Sequence, residues 1–227
     1  MSSPLPVSKN DRWVIAQRWK HVLFMSYDLD PGCVQAALPE GLEVDLFEGR
    51  AWLSVVPFFM SHIRFPYTPP CGWMGLRELN LRTYVRYRDR PGIYFFTLDT
   101  DSFLGQWIAR RFFHLPYRFR CLKGAVSGRE YHFESENSLT LRATIGEPCA
   151  VGSFDRWLVE RYSLFTRGKD AYYRGDVLHT PWKLNQIKDA EVSDTLSGEF
   201  GFTSKASWHM RYAAELDVRF RPFTKLL

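Results

Sequence analysis

Four side chains with chemistry to offer lie at every second position of one short run. In LNLRTYVRY, Asn80, Arg82, Tyr84 and Arg86 alternate with Leu81, Thr83, Val85 and Tyr87. A strand points successive side chains to opposite sides, so these four share one face. If that face looks into an enclosed space, it supplies two cations, an amide and a phenol. A guanidinium can grip a carboxylate or a phosphate through two parallel hydrogen bonds. The same alternation also describes the solvent face of an ordinary half-buried strand. Three further groups deserve the same weighing. Glu160-Arg161-Tyr162 offers either a buried carboxylate for acid–base work or an ion pair that ties a helix to a sheet. His179 and Trp182, in HTPWK, offer either a general base titrating near neutrality or a histidine satisfied by a backbone carbonyl. His62 and Arg64 precede a proline-rich stretch, and position alone would put them at a pocket mouth.

The other catalytic patterns are missing. The six histidines form no H-E-x-x-H, and the four cysteines (Cys33, Cys71, Cys121 and Cys149) form no C-x-x-C. No metal is therefore indicated. There is no G-x-G-x-x-G, no Walker loop and no G-x-S-x-G elbow, so no nucleotide cofactor or serine-hydrolase chemistry is expected.

These residues must be positioned by a core that 227 residues, 45% of them hydrophobic, can build. The length suits one domain spanning residues 1–227, with 1–11 as a loose arm. Aromatics reach 16%, which favours strands. Trp13 to Tyr27 reads as strand. Asp30 and Pro31 then cap and start a short helix. Leu42 to Phe47 and Arg50 to Met60 read as a hairpin, and AWLSVVPFFM is apolar enough for burial on both faces. Ser61 to Gly75 reads as a loop. Strands follow at 79–87 and 93–98. A helix capped by Asp101 or Ser102 follows, with Leu104, Trp107, Ile108 and Arg111 inward. A meander over 117–145, a helix near 154–161 capped by Ser153, and later strands including 171–179 complete the chain. Roughly ten strands and three short helices make an α+β, β-rich fold: an antiparallel curled sheet or open barrel with helices at its ends. No apolar run is long enough for a membrane helix and the N-terminus has no secretory pattern. We therefore expect a cytoplasmic protein whose thiols are reduced and mostly buried. The net charge of +5 is mild. The arginine clusters Arg86-Arg88-Arg90 and Arg110-Arg111 with Arg118-Arg120 are interleaved with acids, so no nucleic-acid partner and no membrane partner is expected.

Five segments in order carry a resemblance: 38–60, 78–87, HLPYRFR at 114–120, WLVERYSLF at 157–165 and HTPWKLNQI at 179–187. They resemble the YqjF-like family of bacterial proteins, whose function is not established. At greater distance the chain is similar to the acetoacetate decarboxylase superfamily, which implies a cone-like barrel around a closed pocket. In those decarboxylases two adjacent lysines follow a proline after the middle helix, and one forms a Schiff base. Here Pro116 is followed by Tyr117 and Arg118, neither of which can do so. The nearest lysine, Lys123, has no partner. The resemblance thus implies a pocket without the Schiff-base chemistry, to which Tyr117 and Arg118 add a phenol and a third cation. The expectation is a protein that binds a small anionic molecule through Asn80, Arg82, Tyr84, Tyr117, Arg118, Glu160 and His179. Whether it catalyses a reaction is left open, as is homo-oligomerisation. The rival is a structural or interaction protein whose barrel is filled by its own aromatics.

Overall fold

The computed structural model describes residues 12–68, 75–203 and 207–226. The proposed arm at 1–11, and Cys71, lie outside the described residues.

Strand β1 (Ile15–Leu29) leads to helix α1 (Pro31–Ala37), where Asp30 accepts hydrogen bonds from the amides of Gly32 and Cys33. Strands β2 (Glu43–Val44), β3 (Ala51–Arg64), β4 (Leu76–Tyr87) and β5 (Arg90–Thr100) follow. Helix α2 (Phe103–Phe113) starts at Ser102, whose hydroxyl accepts from the Gly105 amide, and stops at His114 in the left-handed conformation. Then come β6 (Tyr117–Phe119), β7 (Leu122–Ser127), β8 (Glu130–Ser135), β9 (Leu139–Cys149), α3 (Ser153–Val159), β10 (Ser163–Arg167), β11 (Tyr172–Leu178), β12 (Leu184–Asp194), a 3-10 turn at Ser197–Phe200, β13 (His209–Phe220) and β14 (Thr224–Lys225).

One curled sheet carries the strands in the order β14-β11-β10-β5-β4-β3-β1-β13-β12-β9-β8-β7, with a further pairing of β11 to β13. That extra pairing brings the sheet back on itself. Two contacts make the closure: Val177↔Phe220 and Leu178↔Arg219 at one joint, Leu164↔Ile93 and Phe165↔Tyr94 at the other. The second joint needs Gly92, where a Cβ would stand 2.6 Å from the Phe165 ring and 2.7 Å from the Ser163 carbonyl. Beyond β13 the sheet continues as a wing of β12, β9, β8 and β7, so the whole is curled and not a clean barrel. The β5–β10 and β5–β6 pairings are parallel; the other pairings are antiparallel.

Three bulges shape the wall. Pro57 sits mid-strand in β3 and has no N–H to donate. Near it the β1–β3 register shifts between Lys20 and Met25, and His21 takes φ 51°. The same happens at His62 (φ 52°), between the pairs Ala16↔Arg64 and Arg18↔Ser61. In β5 the extra residue is Phe96, between Thr97 opposite Leu81 and Phe95 opposite Arg82. Each bulge inserts one residue and so switches the inward face from odd to even positions or back. Trp19 and then Val22 and Phe24 face the same interior, as do Met60 and then Ile63.

Several expectations are corrected here. β2 pairs with β4 and not with β3, so the expected hairpin is kept only at its turn, as the antiparallel bridge Phe47↔Arg50. β3 runs on to Arg64, so only part of Ser61 to Gly75 is loop. The cap of α3 is Gly152, with Asp155 accepting from its amide. On α2, Trp107 is exposed and Arg111 is outward; Gly105, Ala109 and Phe113 form the inner side. Cys33 and Cys121 are exposed and Cys149 half-buried, all three as free thiols, which corrects the expectation of mostly buried ones. Among the described residues, no helix is long and apolar enough to cross a membrane.

Candidate functional site

The curl of the sheet encloses a cavity of about 320 Å³ between β1, β3, β4, β5, β10, β11 and β13, with α2 across one end. Its wall is apolar over most of its extent. The exceptions gather on β4 and opposite it. From β4 come Glu78, Asn80 and Arg82. Their partners on the odd positions, Leu79 and Leu81, turn to the other side of the sheet.

Arg82 is the centre of this polar group. It is 8% exposed, its Nε has no hydrogen-bond partner, and its guanidinium lies 5.4 Å from the centre of the Phe24 ring. Its charge acts on the Glu78 carboxyl and helps to lower that group's pKa. Asn80 donates to Glu78 Oε1 at 3.3 Å and leaves its own Oδ1 unpartnered. Glu78 also accepts from the Tyr117 hydroxyl, at 2.6 Å to Oε2. Burial pushes the Glu78 carboxyl up to about 7, against the pull of the Tyr117 and Asn80 hydrogen bonds. Burial, and then the neighbouring Glu78, hold the Tyr117 phenol well above its ordinary value. Tyr117 therefore stays a donor.

Two further residues line the same space. His179 is buried, stacked on Tyr162 at 4.6 Å, and bonded through Nδ1 to the Thr180 carbonyl at 2.8 Å. A carbonyl only accepts, so Nδ1 carries the proton and Nε2 is an acceptor. Burial lowers the His179 pKa, and the nearby Arg82 lowers it further. Arg161 is held by Asp45 at 2.7 Å and by the Trp157 carbonyl at 2.6 Å, stacked over Trp157, with its Nη2 unpartnered.

The structure brings together Asn80, Arg82, Tyr117 and His179, and does not bring the remaining candidates to the cavity. Tyr84 is buried beyond the end of the cavity and bonds Ser54, which bonds Ser26. Arg86 lies 3.8 Å from Asp45 at the rim of the sheet. Arg118 faces outward: β6 pairs with β5 as Leu98↔Tyr117 and Asp99↔Arg118, so neighbouring residues take opposite sides. There it pairs with the fully buried Asp99 at 2.8 Å and with Glu199 at 2.9 Å, and Arg120 joins both acids. Glu160 accepts from the Tyr162 hydroxyl and the Trp182 amide. It ties the end of α3 to the segment before β12, while Arg161 pairs elsewhere. His62 and Arg64 are not in the wall; His62 occupies a bulge and Arg64 lies over Trp13. Glu78 and Arg161 are the members that sequence reasoning did not single out for the cavity. Glu78 was within reach, two places before Asn80 on the same alternating face. Among the described residues no lysine lines the cavity, and no group of three His, Cys, Asp or Glu side chains comes together to hold a metal ion.

Residues 16–217 match the model of the family DUF2071, described as an uncharacterized conserved protein. The chain is 38% identical over 225 residues to the uncharacterized protein YqjF of Bacillus subtilis (strain 168), covering 94% of this chain and 93% of that one. Among solved structures it is similar to acetoacetate decarboxylase from Legionella pneumophila, with TM-score 0.72, 12% identity, and 100% and 92% of the two chains covered. It is also similar to the enduracididine biosynthesis enzyme MppR complexed with pyruvate, with TM-score 0.68, 12% identity, and 100% and 99% covered. An acetoacetate decarboxylase-like enzyme from Sphingomonas wittichii RW1 gives TM-score 0.67 at 15% identity, with 94% and 93% covered. At such identities these structures establish the fold, which is acetoacetate decarboxylase-like.

Proposed function

The chain belongs to the DUF2071 family of uncharacterized conserved proteins, and we propose that it binds a small organic anion in the cavity without forming a Schiff base. The observation that carries this reading is Arg82. A buried guanidinium is costly unless an anion pairs with it; the Arg82 charge acts on the Glu78 carboxyl, but that carboxyl is engaged by Tyr117 and Asn80 and Arg82 Nε is left without a hydrogen bond. A bound carboxylate would complete it. Asn80 and the Tyr117–Glu78 pair lie on the same wall. That a structural neighbour is complexed with pyruvate is in keeping with a site for small acids in this fold. Tyr117 and Arg118 follow Pro116 where the decarboxylases have their lysines. With no lysine among the described wall residues, a covalent imine has no amine to start from. The cavity volume favours binding over a barrel interior filled by its own aromatics.

A thermal-shift series tests this. Small carboxylates should raise the Tm of the wild type, because a ligand of the folded state alone stabilises it by mass action. Arg82→Leu should abolish the shift while the protein stays folded. Borohydride with a keto acid should leave every lysine unmodified. If no acid shifts the wild type, or if Arg82→Leu shifts equally, the binding reading is wrong. An adduct on any lysine would overturn the absence of the imine.

A further inference from the structure

Resting on that reading, we propose that the ligand is a single-tailed amphiphile, a straight-chain monocarboxylate of roughly eight to twelve carbons held head-inward at Arg82 with its tail towards α2.

The wall is apolar over most of its extent, and along β4 the polar run Glu78, Asn80 and Arg82 gives way to Leu76. Arg82 lies at one end of the β4 lining and Leu76 at the other, about 20 Å of extended strand apart. Around Arg82 stand Asn80, His179 and the unpartnered nitrogen of Arg161. Register places the rest. Leu76 faces Met60 across the β3–β4 pair, and Thr100 faces Glu78 across the β4–β5 pair, so α2, which follows Thr100, closes the Leu76 end. There the wall is Leu76, Met60, Ile63, Leu104, Ala109 and Phe113, bordered by Glu78, whose carboxyl is already taken up by the Tyr117 hydroxyl.

A short polar acid would meet Arg82 and leave this far half empty of contacts. An apolar tail would fill it. The charge balance suits a head with one negative charge: Arg161 is already paired with Asp45, which leaves the single charge of Arg82. The far end is also thinly closed. Leu104 lines the cavity and is itself 53% exposed, next to Phe103 and Trp107, which are 72% and 55% exposed on the outside of α2. One layer of apolar side chains therefore separates the tail end from the surface, which suits entry of an amphiphile.

The test is a calorimetric titration of the full chain with sodium carboxylates from acetate to tetradecanoate, below their micelle concentrations, with acetoacetate for comparison. From butanoate to decanoate the Kd should fall about fourfold per added methylene, then level off near dodecanoate. Arg82→Leu should weaken the whole series at least about tenfold. Ala109→Phe, which adds bulk at the α2 end, should move the levelling to shorter acids and leave butanoate unaffected. A Kd independent of chain length, or acetoacetate binding as tightly as decanoate, would overturn the tail assignment while leaving an Arg82 anion site standing. An unchanged levelling point in Ala109→Phe would also overturn it. Long acids that bind equally well to Arg82→Leu, or no binding by any acid, would instead remove the anion site itself.

Discussion

Strands β1, β3 and β4 are buried on both faces, and the two faces hold different interiors. On one, Leu23, Met25, Leu53, Val55, Leu79 and Leu81 pack against Phe133, Leu141 and Tyr131 of the wing. On the other, Val22, Phe24, Val56, Phe58, Asn80 and Arg82 surround a cavity of about 320 Å³. Shifting one residue along the same strand moves a side chain from one interior to the other. The wing packs against its face, where Phe59 meets the rings of Tyr131 and Phe133. The closing curl holds opposite walls apart, so its side chains meet only partly. The unpartnered Arg82 Nε and Asn80 Oδ1 belong to side chains that line the hollow side. The contrast extends to the two arginines of that side. Arg161 has an ion-pair partner in Asp45, although its Nη2 is unpartnered, and Arg82 Nε has no hydrogen bond.

Five substitutions break or sharpen this contrast. Leu81→Ala, on the filled face, should cost about 3–5 kcal/mol by denaturant unfolding, because it opens a void in a packed layer. Leu98→Ala, on the wall, should cost only about 2–3 kcal/mol, since it enlarges a space already present. Equal losses would mean the two faces are packed alike. Asp45→Ala should cost about 3–5 kcal/mol by stranding the buried Arg161 charge. A loss under about 1 kcal/mol would show that Arg161 finds other compensation.

Glu78→Gln tests the hollow side through pH. The Glu78 carboxyl is raised by burial to about 7, so the folded state holds its proton where the unfolded chain, with a pKa near the ordinary 4.5, has lost it. Its contribution is therefore fully present below about 4.5 and is lost as pH rises to about 7. The glutamine variant lacks that loss. It should match wild type near pH 4 and exceed it by on the order of 3 kcal/mol at pH 8. A stability difference independent of pH would show that Glu78 is ionised throughout. The smallest effect is that of Arg82→Leu without ligand, within about 1 kcal/mol of wild type or more stable, because no carboxylate is left unpaired. A loss near that of Asp45→Ala would mean Arg82 has a structural partner.

Much of the fold was legible locally. Asp30-Pro31 and Ser102 start their helices as capping chemistry dictates. The unbroken apolar run of β3 announced burial on both faces. The alternation of β4 correctly put Asn80 and Arg82 on one side of a wall. What failed were readings that needed a partner strand. β2 went to β4 because the partner of a short strand is chosen by the assembled sheet. Trp107 lies outside α2 because the inner face had to be small where the helix crosses the cavity end, at Gly105 and Ala109. Arg118 turned outward to Asp99, a residue far from it in the chain and beside it in the sheet.

The sequence by itself determined where most strands run, which side chains share a face over short runs, and that Tyr117 and Arg118, not lysines, directly follow Pro116. Period two and capping are local properties, set by neighbours in the chain. Only the tertiary structure decided which of two buried faces is hollow. It did so through the one-residue bulges at His21, His62 and Phe96 and through the closure of β11 on β13. A bulge is a mismatch in count between two strands, and closure joins residues some forty positions apart, so neither has a signature in either segment alone.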